Sequence, residues 1–114
     1  MIRKTVFKKL VQDNNDPYLN EVLTNVNDHV VKLSVMTGPF PWHFHPNSDE
    51  TFIGLEGTVL IETKDGDYKL TPGSSITIAR DTVHRTSPEG EKSVNLTVEK
   101  ADIETIFLEN PSEC

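Results

Sequence analysis

The sequence predicts an all-β chain of the sandwich or barrel type, and three observations carry that prediction. Short runs rich in β-branched residues recur along it: HVVKLSVM (29–36), TFIGLEGTVLIET (51–63), YKL (68–70), SITIA (75–79) and SVNLTVE (93–99). Turn-forming clusters separate them at a regular pace: DNNDP (13–17), NVND (25–28), TGPFP (37–41), HPNSD (45–49), KDGD (64–67), TPGS (71–74), RDT (80–82) and SPEGE (87–91). Apolar residues alternate with polar ones in two of the runs, Val31, Leu33 and Val35 in one and Val94, Leu96 and Val98 in the other.

At 114 residues the chain is read as one domain, large enough for one core and one enclosed cavity. It has no internal repeat and no low-complexity segment. The first stretch, MIRKTVFKKLVQ, begins with positive charge, but Lys8 and Lys9 interrupt it before an apolar run develops, so it is read as neither a signal peptide nor a membrane span. In TFIGLEGTVLIET the pattern is two-sided. Phe52 and Gly54 oppose Ile53 and Leu55, and Val59 and Ile61 oppose Leu60. A strand pair apolar on both faces needs cover on both. The expected cover is a second copy of the chain, a homodimer; the alternative is the chain's own end, at Ile103, Ile106 and Phe107. Asp65-Gly66, between VLIET and YKL, reads as a two-residue hairpin turn in which both residues tolerate positive φ. The tail ADIETIFLENPSEC fits a short helix or a strand equally, with a frayed, proline-containing end.

Charge and cysteine narrow the partners and the compartment. Eleven basic against 18 acidic residues give −7, which provides no footprint for nucleic acid or an anionic membrane surface. Cys114 is the only cysteine, so no internal disulfide can form; a reducing compartment, the cytoplasm, is expected.

The chemistry concentrates in WHFHPNSDET (42–51). His43 and His45 stand at i and i+2, so extended backbone projects both rings from one face. Two nitrogens on Cα atoms about 7 Å apart can converge on one ion at about 2 Å per bond. Pro46 and Asn47 favour a bend that brings back a carboxylate, Asp49 or Glu50. His84, after SITIARDTV, is the candidate fourth ligand. Such a donor set suits Fe, Mn, Zn, Ni, Co or Cu, one divalent ion in each case. An octahedral ion would keep two positions open for chemistry, whereas a tetrahedral zinc would be saturated and structural. His29 has no such company and reads as a strand-entry residue facing solvent.

These residues resemble the cupin superfamily. Its first motif, G-x5-H-x-H-x3,4-E-x6-G, is matched by Gly38, four residues, His43, Phe44, His45, four residues, Glu50, six residues and Gly57; only the first gap is one residue short. Its second motif, G-x5-P-x-G-x2-H-x3-N, keeps its frame from Gly73 to His84, with Ala79 in place of the proline, Asp81 in place of the second glycine and Pro88 in place of the asparagine. The resemblance covers residues 38–88. It implies a small antiparallel barrel or jelly roll, a single cupin domain over 1–114 with N-terminal strands in 1–37, both motifs in a barrel core at 38–99 and a tail at 100–114. It also implies a central metal held by His43, His45, Glu50 and His84. Spacing to Gly57 selects Glu50 over Asp49, which then becomes a turn residue. The glycine replaced by Asp81 needs the left-handed conformation, which aspartate can adopt.

Beside this centre Phe52 is the expected apolar wall, on the face of Glu50, with Gly54 leaving room for a cavity. Met36 and Trp42 are further pocket candidates, beside a core role for Met36 and a core or dimer-contact role for Trp42: strict alternation would turn Trp42 away, but Pro39 and Pro41 disturb it. Phe40 and Phe44 read as core or interface, Arg80 and Arg85 as solvated, and Glu56 as an exposed rim residue. The sequence thus points to a metal-binding small cupin that holds a small organic molecule, as an oxygenase, isomerase or lyase, or else as a binding or sensing module without turnover.

Overall fold

The computed structural model describes residues 1–112 of the chain; the frayed end expected for the tail, with Cys114, lies outside the described residues. One short helix, α1 (Lys8–Asp13), precedes ten strands: β1 (Tyr18–Val26), β2 (His29–Met36), β3 (Phe40–Phe44), β4 (Glu50–Glu56), β5 (Val59–Thr63), β6 (Gly66–Leu70), β7 (Ser75–Ile78), β8 (His84–Pro88), β9 (Ser93–Lys100) and β10 (Ile106–Phe107). They form two five-stranded antiparallel sheets, β1-β2-β9-β4-β7 and β10-β3-β8-β5-β6. The all-β architecture expected from the spacing of the runs is therefore what forms. Within residues 1–37, however, only β1 and β2 are strands, and residues 8–13 are helical.

Which face of the sheets is apolar decides where the cavity lies. Leu33, Val35 and Val94 form a buried cluster with Leu96, joined by Phe7, Leu10 and Val11 from the helical segment and by Leu19 and Leu23. The opposite face of β2 and β9 carries Lys32, Ser34, Asn95, Thr97 and Glu99, which line an interior cavity together with Met36. The apolar alternation legible in the sequence therefore marks the outside of the barrel, and the polar alternates line its interior. A second cluster, Phe52, Val59, Ile61, Leu70 and Ile78, fills the space between the sheets.

The chain itself supplies part of the expected outer cover, and from the end opposite to the one proposed. Helix α1 packs on the outer face of β2 and β9 and borders Leu55 of β4, while Ile103 lines the cavity and Phe107 packs 5.6 Å from Phe40. The β5–β6 turn also differs from expectation. It is Lys64-Asp65, with Gly66 already paired to Thr63 and no positive φ at either turn residue. The Thr63 hydroxyl donates to Gly66 O at 2.7 Å and accepts from the Asp65 N–H at 3.3 Å, so the turn closes one residue earlier than an Asp-Gly turn would.

Gly54 opens no cavity. A Cβ there would lie 2.3 Å from Thr71 O. Its hydrogen is what lets the β6–β7 turn cross β4, bonded through Gly54 N–H to Ser74 O at 2.9 Å and Gly73 N–H to Gly54 O at 3.0 Å. Gly57 has φ +65, and a Cβ would sit 2.3 Å from Lys92 O, so two independent constraints require glycine there.

Candidate metal centre

Strand β3 turns His43 inward, and His45 follows on the same face just beyond the strand end. His84 opens β8, directly opposite His43 in register, and Glu50 opens β4 on the facing sheet. Three imidazoles from one sheet thus meet one carboxylate from the other across the barrel interior. All four residues are buried, from 0% exposure at His84 to 7% at His45 and Glu50. Their ligand atoms all lie within 4.8 Å of one another.

The orientation of each ring is fixed from behind. His43 Nδ1–H donates to Pro41 O at 2.7 Å, His45 Nδ1–H to Glu104 O at 2.9 Å, and His84 Nδ1–H to Thr82 O at 2.8 Å. A carbonyl accepts only from N–H, so each neutral ring keeps its Nε2 lone pair facing the centre. His45 Nε2 and His84 Nε2 stand 3.5 and 3.6 Å from Glu50 Oε1, and all three atoms are buried without a hydrogen-bond partner. Those separations exceed direct hydrogen bonding. They match the ~3–3.5 Å expected between neighbouring ligands on an ion with bonds of about 2.1 Å. The residues present therefore fit a divalent metal ion.

Electrostatics agrees with the geometry. Burial, then positive charge on His84 and His45, pushes His43 down to about 4, which keeps it neutral at physiological pH. Burial would lower His45 as well, but the Glu50 carboxylate beside it outweighs that and raises it. Burial would raise Glu50, yet its contacts with His45 and His84 hold it well below the usual carboxylate range. Two further groups face the same space. Glu99, paired in register with Glu50, is raised by burial and by the Glu50 charge, against the pull of Lys32, whose Nζ is 3.5 Å from Glu99 Oε2. Tyr18 is pushed up to about 12, first by burial and then by Glu50.

Next to the four ligands lies a cavity of about 140 Å³. Phe52 and Met36 line it, as does Phe40, whose ring meets that of His43 edge-on at 4.8 Å. Trp42 does not line it. Alternation holds across Trp42, His43 and Phe44, and the Trp42 ring packs outside, 4.7 Å from the guanidinium of Arg85. Arg85 in turn grips Glu62 through two bonds of 2.9 and 3.0 Å, so it is anchored and not simply solvated. The irregularity foreseen at Pro39 and Pro41 acts one step upstream: a register shift between Phe40 and His43 brings Phe40 to the inner face.

The loop before His84 keeps its geometry without the usual glycine. Asp81 takes φ +67, and its N–H donates to His45 O at 2.9 Å, tying the two ligand segments together. Asp49 stays outside the cluster; its Oδ1 accepts the Arg80 N–H at 2.9 Å and fixes the same loop. His29 is exposed and paired with Asp28, and Glu56 is exposed near Lys92. Tyr18, Lys32, Asn95, Thr97, Glu99 and the Glu104 carbonyl join the site with no motif in the sequence to mark them. The polar alternates of β2 and β9 were the available signal for four of them; nothing local marks Glu104.

A family model described as a cupin domain (Cupin_2) matches residues 26–98. The uncharacterized protein YdbB of Bacillus subtilis (strain 168) is 44% identical over 95 residues, 82% of this chain and 83% of that one. Among solved structures, a cupin-2 domain containing protein from Shewanella frigidimarina superposes with a TM-score of 0.77 at 27% identity, over 84% of this chain and 93% of that one. A double-stranded β-helix protein from Klebsiella pneumoniae superposes with a TM-score of 0.79 at 19% identity, over 96% and 100%, a likeness of fold. A family match over more than half the chain, together with a relative at that identity and coverage, makes this chain a member of the cupin family.

Proposed function

We propose that this cupin holds one divalent metal ion through His43, His45, Glu50 and His84, binds a small organic molecule in the adjoining cavity, and acts on it as an oxygenase, isomerase or lyase. The observation that carries the reading is the set of buried, unpartnered Nε2 and carboxylate atoms aimed at one point, each ring tied through its Nδ1–H to a backbone carbonyl. A bound divalent ion supplies Lewis acidity and a coordination position for an oxygen donor. The chain's own residues supply the rest. Phe52, Met36 and Phe40 exclude water from one side. Glu99, buried beside Glu50, is positioned to hold or release a proton.

Elemental analysis of protein purified without added metal tests the first half, with about one equivalent of a transition ion per chain expected and none after His84→Ala. Consumption of dioxygen, or of a screened small acid or sugar, that requires the metal tests the second. Thermal stabilisation by such a compound without turnover would assign the protein to the binding modules instead. We further propose a homodimer packed through the outer face of β4, where Ile53 is half-buried and Leu55 is 37% exposed. A single-chain mass in light scattering at micromolar concentration would remove that part. No helix among the described residues is long and apolar enough to cross a membrane.

A further inference from the structure

The inner face of β9 presents polar side chains that the barrel itself leaves unused. Asn95 and Thr97 are 0% and 3% exposed, both line the cavity, and Asn95 Oδ1 and Thr97 Oγ1 have no hydrogen-bond partner. Asn95 spends its amide on Leu96 O at 3.2 Å, which leaves Oδ1 as a pure acceptor. Thr97 can donate or accept. Buried polar atoms in this state destabilise a fold, and they are retained where function uses them. Apolar replacements would fit easily, since Phe52 and Met36 already occupy the same interior.

We infer that Asn95 and Thr97 form a hydroxyl-reading strip, so that the ligand is a small oxygen-rich molecule with a metal-binding end and a distal hydroxyl. One hydroxyl that donates to Asn95 Oδ1 and accepts from Thr97 satisfies both side chains. Cavity volume bounds the rest of the molecule: about 140 Å³ is the space of roughly four or five water molecules, which a compound of about five to eight non-hydrogen atoms fills. A hydroxy acid or hydroxy aldehyde of three or four carbons meets all three requirements. An analogue without the distal hydroxyl leaves Asn95 Oδ1 buried and unpaired, and a site built around a hydrogen bond rejects such an analogue strongly.

This inference rests on the proposed metal site, and the experiment separates the two. Nickel-loaded protein, whose six-coordinate ion keeps two positions open beside the four protein ligands, is titrated calorimetrically with matched probes that differ in one distal hydroxyl, glycerate against lactate and glyceraldehyde against lactaldehyde. At least one hydroxylated member should bind ten-fold or more tightly than its partner. In Thr97→Val and Asn95→Leu that ratio should fall towards one while nickel affinity stays within about twofold. Both variants should unfold at the same temperature as the parent or higher, because each removes an unpaired buried polar atom. Failure of every hydroxylated probe to bind, equal binding of the paired probes, or a preference that survives both substitutions overturns the strip and leaves the metal site standing. Absence of nickel binding in the parent protein overturns the metal site itself.

Discussion

His43 is the member of the cluster that most resists a proton. Its pKa of about 4 lies below the 6.5 of the unfolded chain, so between those values the unfolded state binds a proton that the folded site refuses. Stability of the metal-free protein should therefore be full above pH 6.5 and fall as pH drops towards 4, by up to about 3 kcal/mol from this residue. Glu50, held below its ordinary range, adds a loss of the same sign as pH falls below its unfolded value of 4.5. His45, raised, has the opposite sign: its contribution is present below 6.5 and lost as pH rises through its folded value. Thermal melts of metal-free protein across that range check the balance, and His43→Gln should flatten the acid slope. Glu50→Gln keeps the shape but removes the charge, and calorimetric metal affinity should weaken by more than about 100-fold, since even an outer partner of a ligand is worth 10–100-fold. At this scale much was legible. His43, His45 and Glu50 stand close in sequence, and the frame from Gly73 to His84 survives two replacements, at Ala79 and Asp81. Trp42 could be placed either way from the sequence, because prolines on one side of a strand say nothing about which residue absorbs the extra step; here it falls between Phe40 and His43, and Trp42 stays outside.

Strands and loops carry their own expectations. Asp81 at φ +67 stands where the family pattern has glycine, and a β-branched residue there would be strained. Asp81→Val should lose about 1–3 kcal/mol in urea denaturation and weaken metal binding through the displaced His84, whereas Asp81→Gly should be neutral or slightly stabilising. Helix α1 lies on Leu33, Val35, Val94 and Leu96, a packing that isolated helix propensity does not reveal in six residues with no side-chain cap. Removing residues 1–13 should expose that face, lower the melting temperature and increase binding of a hydrophobic dye. The same strands show why the cavity wall is not legible in the sequence. Val94, Leu96 and Val98 identify β9 as amphipathic, but alternation alone does not say which face is inside. In this barrel the interior at β9 is the polar face, because the cavity and not the core lies there.

The molecule as a whole sets its centre between two sheets and closes it with its last described segment. Residues 103–105 reach back over the barrel. Ile103 and Thr105 line the cavity, Glu104 N–H donates to Asn47 Oδ1 at 2.9 Å, and β10 pairs with β3 through Ile106↔Phe44 and Phe107↔His43. The tail read equally as helix or strand, since a two-residue strand has no period to detect. The sheet on which His43 and His84 pair is held by β3, β8 and β5, which lie closer together in the sequence. One imidazole out of three is therefore steered by a segment that contributes little to the barrel's own cohesion. Proteolytic clipping at residues 101–103 should leave circular dichroism almost unchanged while the visible spectrum of cobalt-substituted protein shifts, because His45 would be free to rotate about its own bonds. Colour and fold would then report separately, with the segment after the cut acting as a tuning screw for the ion.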